Sequence, residues 1–395
     1  MSEMNNVDIL IEKHKDILQL LNSTNTQSAM LVGGCVRDFL MYERISDDTD
    51  ISTTLTPNEV KDILLKWKTE NTNNKIIILD RDKQYGTIVV LFNGVRYEIT
   101  TTRADIACFG RQAKVEFCKD FQADSMRRDF TINALYLSMD GKIFDYHGGL
   151  DDLKNNRVVF IGNADNRIKE DYLRILRFFR FSTKLNNFNF DGSVVSVLKK
   201  NISGLTNVSR ERIKNELWKM LSYEKWFEGI LALKKHNFIT TIFLLEDDIA
   251  TQDDDKLFYI PKLDNGSHQN IQYEVVKILY FFKYDVDVIH GFFDTLKFTN
   301  YEKKIAELAL ELMSKTNQGT NFAVDVKLKL FHTEKKLVEQ ILPIFSYDMQ
   351  LKINNFYNNI KPLPTTSREL IKQGFQGKQL GEKIKQLEME WVDKF

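Results

Sequence analysis

Strand patterns in this 395-residue chain stop near residue 150. Before that point, Asn93-Gly94 separates two strand-like runs at residues 86–92 and 95–101. Asn-Gly suits a two-residue hairpin turn because both positions need positive φ. A second hairpin is predicted over residues 134–138 and 142–146, turning at Asp140-Gly141. Shorter strands are expected at residues 29–32, 48–52 and 75–79, with helices over 7–22, 36–42 and from Pro57 to about residue 68. Between the hairpins, residues 103–122 read as a long loop with one short strand at 114–117, and long loops are often functional. After Asp151 helical periodicity takes over, broken near Gly204, residues 261–266, residues 317–319 and residues 362–364. The fold class is therefore α+β, a mixed-sheet domain followed by all-helical chain.

Lys and Arg total 55, and so do Asp and Glu. Bulk charge announces no nucleic-acid partner, so any such contact needs a local basic surface. Three cysteines, Cys35, Cys108 and Cys118, form no even framework and read as reduced thiols in a cytoplasmic protein. No apolar run reaches about 18 residues, so no membrane span is expected. The first residues have acidic, helical character rather than that of a targeting peptide. Six scattered histidines suggest no zinc site. The acidic run 246–255 reads as a solvated loop.

The stretch 31–53, LVGGCVRDFLMYERISDDTDIST, holds the densest chemistry. On a strand, Asp48 and Asp50 face the same way. Two like charges held so close favour a cation between them, and carboxylates on a strand suit Mg²⁺ beside phosphates. Gly33 and Gly34 let the backbone approach a ligand and offer N–H groups to phosphate, and Arg37 could add a two-pronged contact. Alone, D-x-D is more often a surface turn than a metal site.

Glu98 lies on the second hairpin strand. It could complete a metal site or act as a base, or equally be an exposed edge residue that discourages strand pairing. Arg127 and Arg128 suit phosphate and ribose recognition, while Asp129 could cap a helix or pair with an arginine.

A further candidate lies in residues 167–180. On one helix, Asp171 and Arg174 are i, i+3 neighbours, ordinarily a surface ion pair of little consequence. Asp accepts and Arg only donates, so such a pair could also read a base edge with an amine beside a ring nitrogen. Cytosine and adenine share that order, and guanine and uracil reverse it. Arg177 would be rotated from Asp171 by about 120° and Arg180 by about 180°, which leaves Arg180 for structure or RNA. Ser209 reads as the N-cap of a helix with Arg212 and Glu216 at i, i+4; Arg210 and Arg212 give it a basic face that is structural or RNA-binding. Gly374, Gly377 and Gly381 precede a predicted helix over residues 382–391, where Lys378 could meet a nucleic-acid phosphate or simply mark a helix-hairpin turn.

In this order, GG-x-V-RD, D-x-D, the Glu98-Ile99-Thr100 strand, RRDFTINA and ED-x-x-R-x-x-R closely resemble the class II tRNA nucleotidyltransferase and bacterial poly(A) polymerase family. The likeness is close over about residues 30–220 and loose beyond. It implies a polymerase-β-like nucleotidyltransferase head at residues 1–150, a helical neck at 151–220 that recognises the base, a body at 221–320 and a tRNA-binding tail at 321–395. It implies Mg²⁺ at Asp48 and Asp50 with Glu98 as the matching strand carboxylate. Gly33, Gly34 and Arg37 would hold the triphosphate. Arg127, Arg128 and Asp129 would meet the nucleotide's sugar and phosphates. Asp171 and Arg174 would pair with CTP and ATP, followed by Arg177 and Arg180. The implied reaction is in-line attack of an RNA 3′-hydroxyl on the α-phosphate, releasing pyrophosphate.

Family members add CCA, CC, a final A, or poly(A). CC-only members have a shortened segment before RRDFTINA, and residues 103–122 are not short. FIGNADNRIKEDYLRILRFFRF is most similar to bacterial and mitochondrial-type CCA-adding members. Phe109-Gly110 stands where the family usually has Asp-Gly before the equivalent of Arg111. The expectation is CCA addition to tRNA from CTP and ATP, with no protein partner implied. Alternatives are A-only or poly(A) addition, or a non-catalytic RNA-binding protein on this scaffold.

Overall fold

The computed structural model describes residues 7–23, 25, 27–45, 48–71, 76–82, 86–109, 112–245, 273–282, 285–317 and 322–395. The acidic run 246–255, the break at 261–266 and the Gly110-Arg111 pair lie outside them.

Asn93 and Gly94 have φ of 49° and 83°, the two positive values that a twisted hairpin turn demands. They join β4 (Thr87–Phe92) to β5 (Val95–Thr101). Gly141, at φ 85°, turns the chain between β8 (Leu135–Leu137) and β9 (Ile143–Asp145). With β1 (Ala29–Val32), β2 (Asp48–Thr53) and β3 (Ile76–Asp82), these strands form one sheet in the order β3-β4-β5-β2-β1-β8-β9. Among the described strands only β2 and β5 pair in parallel; Ile51 and Ile99 on them, with Ile88 and Val90 on the adjoining β4, are buried. Helices α1 (Val7–Leu21), α2 (Gly34–Tyr42), α3 (Pro57–Glu70), α4 (Phe121–Met126) and α5 (Gly149–Lys154) accompany the sheet. In α1, Leu10, Ile17, Leu18 and Leu21 are buried, and His14 meets the Tyr97 hydroxyl at 2.9 Å. A capping box between Thr56 and Glu59 starts α3 at Pro57.

Three expectations change. Residues 103–122 are not mostly loop: β6 (Arg103–Phe109) pairs antiparallel with β7 (Gln112–Phe117) as a separate ribbon. RADIACF lacks clean alternation, so its period hides the strand. The C-terminal helix starts at Gly377, not residue 382, and so includes Lys378.

The third change concerns residues 171–174. Asp171 and Arg174 do not share one helix. Helix α6 (Ala164–Glu170) ends in Asp171, whose backbone is extended at φ −154° and ψ 104°. Its Oδ1 accepts from the Leu173 N–H at 3.2 Å, an Asx-type turn that competes with helix continuation. Helix α7 (Arg174–Lys184) starts afresh.

The chain divides into two compact units. The first, Met1–Val208 with Glu228–Phe238, contains the sheet and α6 to α8 (Gly192–Asn201). Phe130 packs on Phe160 at 4.8 Å and Phe181 at 5.6 Å between ring centroids, seating the arginine-rich turn on α7. The second unit, Ser209–Phe227 with Ile239–Phe395, is helical among its described residues. Phe243, Phe282 and Phe292 form one of its aromatic clusters. Its buried Lys277 donates to the Leu221 carbonyl at 2.6 Å.

Candidate active site

Strand β2 alternates as its sequence requires: Asp48 and Asp50 are exposed, and Thr49 and Ile51 are buried. Parallel pairing sets Asp48 beside Arg96 and Asp50 beside Glu98. All four side chains therefore share one face of two central strands. Glu98 is thus not on an exposed edge, because β5 is flanked by β4 and β2. Arg96 was not among the expected site residues, yet its guanidinium bridges Asp48 and Glu98. Its significance comes from a strand 48 residues away, which no local pattern reveals. Asp50 is walled by protein on all but its open side. That burial, with Glu98 and Asp48 adding and Arg128 opposing, raises its pKa to about 6.

Gly33 ends β1 at φ 73° and ψ −122° and caps α2. A Cβ there would stand 3.3 Å from Arg128 Nη1 and 3.9 Å from Asp50 Oδ2, so glycine lets the arginine lie against the carboxylate strand. Its own N–H donates to the Leu135 carbonyl at 3.2 Å, which corrects the expectation that it serves phosphate. The first-turn amides of α2, from Gly34 onward, have no intrahelical acceptor by helix geometry. Arg37 also departs from expectation. It is 5% exposed, lies over the Phe181 ring at 4.8 Å and donates to Asp38 and Asn133. Its fork points into the protein. Asp38 in turn holds Lys184 Nζ at 2.6 Å.

Arg127 and Arg128 converge on Asp124, a second residue the sequence reading missed. This fully buried carboxylate accepts from Arg127 Nε at 2.7 Å, the Tyr136 hydroxyl at 2.8 Å and Ser52 Oγ of β2 at 3.2 Å. Arg128 Nη2 approaches it at 3.4 Å. Burial would raise the Asp124 pKa, but Arg127 and Arg128 outweigh it and hold the carboxyl below its ordinary value. Asp129 resolves the choice between cap and ion pair: it accepts from Arg177 Nε at 2.7 Å, Asn133 Nδ2 at 3.0 Å and the Phe130 N–H at 2.9 Å. Burial alone would push its pKa up; Arg177 foremost pulls it down to about 2.

Arg174 does not reach for Asp171. Its Nη1 donates to Glu170 Oε2 at 2.6 Å and to the Arg167 carbonyl at 2.7 Å, and Nη2 donates to the Arg127 carbonyl at 3.3 Å. Arg167 also donates to the Arg127 and Arg128 carbonyls. Arg180 is 8% exposed and lies over Phe181 at 4.1 Å, so it is a packed residue of α7. The first unit thus gathers Gly33, Gly34, Asp48, Asp50, Glu98, Arg127 and Arg128 about the end of β2, with Asp129 and Arg177 linking them to α7. In the second unit, Arg210 turns inward to the Thr295 and Ile242 carbonyls, against an RNA-binding role. Arg212 is half-buried on the same helix, and Lys378 is exposed.

Residues 29–159 match the family model described as poly A polymerase head domain, and 187–246 match the probable RNA and SrmB-binding site of polymerase A. Over these two stretches the chain resembles the poly(A) polymerase family. Among relatives of this family, human mitochondrial CCA tRNA nucleotidyltransferase 1 is 39% identical over 215 residues, 54% of this chain and 48% of that protein. The CCA-adding enzyme of Staphylococcus haemolyticus is 36% identical over 235 residues, 59% of this chain and 55% of that protein. The chain thus spans about half the length of the curated relatives it matches. The crystal structure of the Bacillus stearothermophilus CCA-adding enzyme in complex with CTP matches 99% of this chain and 93% of that one, with a TM-score of 0.80 at 20% identity. The two share a fold, a mixed-sheet head followed by helices. Among the described residues no helix is long and apolar enough to cross a membrane.

Proposed function

We propose that this chain is a CCA-adding tRNA nucleotidyltransferase that uses CTP, ATP and Mg²⁺. The observation that carries the reading is the register of β2 on β5, which sets Asp48, Asp50 and Glu98 on one face beside the Gly33-Gly34 turn. Hard carboxylate oxygens on adjacent strands suit Mg²⁺, with Asp48 and Asp50 as holders and Glu98 adjoining. When bound, it would activate the RNA 3′-hydroxyl and stabilise the departing pyrophosphate. The first-turn amides of α2 would take triphosphate oxygens at a helix N-terminus. Arg127 and Arg128, preset by Asp124, would meet the sugar and phosphates. Arg37 would brace this floor from beneath.

Asp171 would accept from the exocyclic amine shared by cytosine and adenine. Arg174 would donate to the neighbouring ring nitrogen, exchanging its hold on Glu170 for the base. The proposed division is a head at 1–150, neck at 151–220, body at 221–320 and tail at 321–395, with Arg212 and Lys378 as candidate tRNA contacts. The proposed location is the cytoplasm, although the human relative is named as mitochondrial.

The test is incubation of the purified chain with tRNA lacking its 3′ CCA, with sequencing of the products. Ordered addition of C, C and A supports the reading. Long A tails would make it a poly(A) polymerase, A only after a supplied CC an A-adding enzyme, and binding without incorporation a non-catalytic protein.

A further inference from the structure

We propose that Arg96 is an internal counter-ion of the carboxylate centre, clamping Asp48 and Glu98 before the divalent cation binds and yielding its place to it. The inference rests on the metal site proposed at Asp48 and Asp50. Three carboxylates on one face of two strands repel each other without a cation. Arg96 supplies one from within the sheet: it is the cross-strand neighbour of Asp48 and stands two residues before Glu98 on β5. Its guanidinium prongs go to one carboxylate each.

The other nearby arginine is not exchangeable in the same way. Arg128 is 17% exposed and fixed by Asp124, the Tyr136 hydroxyl and the Asn133 carbonyl. Arg96 is 43% exposed at its side chain, and among the described residues its side-chain hydrogen bonds are to the two carboxylates, so it can swing toward solvent. Among the described residues no three acidic, His or Cys side chains form a ready metal cage. With Arg96 holding Asp48 and Glu98, the carboxylates must turn from it to close round a cation. A guanidinium keeps its charge throughout the accessible pH range, so the exchange is a competition between cations rather than a titration. The clamp keeps the metal-free strands ordered and sets the concentration at which the cation enters.

The test uses the full chain without nucleotide. Mn²⁺ binding is followed by electron paramagnetic resonance for the wild type, Arg96→Gln, Arg96→Lys and Asp50→Asn, with melting temperatures in chelator and in saturating Mn²⁺. Arg96→Gln should bind Mn²⁺ about three- to tenfold more tightly, or about 0.7–1.4 kcal/mol at 1.4 kcal/mol per tenfold, in keeping with the loss of two partly exposed ion pairs. It should melt below wild type in chelator and converge with it at saturation. Arg96→Lys should fall between the two. Equal or weaker binding by Arg96→Gln, with Asp50→Asn impaired, would overturn the clamp while leaving the metal site standing. Equal binding by the wild type and Asp50→Asn would overturn both.

Discussion

The pair between Asp129 and Arg177 ties the arginine-rich turn to α7, and its strength can be worked from the structure. Asp129 is buried, and its pKa falls from an ordinary 3.8 to about 2, chiefly through Arg177. At 1.36 kcal/mol per pH unit, this corresponds to about 2.4 kcal/mol of stability near neutrality. Because the folded pKa is depressed, that stability is present above about pH 4 and is lost as pH falls toward 2. Replacing Arg177 with Met keeps the apolar stem and removes the charge. Asp129 would then be buried with only Asn133 and a backbone N–H for support. Unpairing a fully buried charge costs about 3–5 kcal/mol. Arg177 is 29% exposed at its side chain, so a loss of about 2–4 kcal/mol is expected. For a unit of this size the melting temperature should fall by about 5–10 °C at pH 7. The difference from wild type should shrink at pH 3, and Arg177→Met should cost much less in an Asp129→Asn background. Urea and thermal unfolding of the four proteins measure the cycle. A fall below about 1 °C at pH 7, or an equal loss in both backgrounds, would refute the assignment.

Asp171→Ala should cost about 1 kcal/mol with the lost Asx-turn hydrogen bond and reduce discrimination of CTP and ATP from GTP and UTP; single-nucleotide incorporation with each triphosphate measures this, and retained selectivity would remove Asp171 from base reading. Gly33→Ala places a side chain at φ 73° and 3.3 Å from Arg128. It should destabilise by about 1–2 kcal/mol and raise the nucleotide KM by displacing Arg128, as steady-state kinetics would record. Phe130→Ala empties the aromatic cluster under α7 and should cost about 3–5 kcal/mol in chemical denaturation. Asp48→Ala should reduce nucleotide incorporation by about a thousandfold or more while tRNA retention on filters persists; unchanged incorporation would sink the metal assignment.

Sequence made the strand-rich first part legible where local chemistry decides the structure. Asn93-Gly94 announces its turn because few other pairs take two positive φ values in succession. Asp48 and Asp50 announce a shared face because strands alternate. Reading failed where a distant partner decides. Arg96 gains meaning only from β2 lying beside β5. Asp124 looks like an ordinary residue of a six-residue helix until it is buried beneath two arginines and a tyrosine. The break at Asp171 was hidden because its neighbours suit a helix, while an Asx turn to Leu173 overrides them. Arg37 looked like a phosphate fork by residue type, but Phe181, Asp38 and Asn133 claim it.

Arg167 of α6 and Arg174 of α7 grip the turn at Arg127 and Arg128 by its backbone carbonyls. A carbonyl is the same whatever side chain its residue carries. The attachment is therefore indifferent to the identity of residues 127 and 128. Substitutions there can retune what those side chains hold without loosening the joint. Arg167 and Arg174 have no such latitude, because a lysine in either place offers no planar fork to share among several oxygens. Variation introduced by saturation mutagenesis should accordingly leave the joint itself intact at the two gripped positions, where the loss falls instead on the buried Asp124 carboxylate they neutralise, and break it at the two that grip.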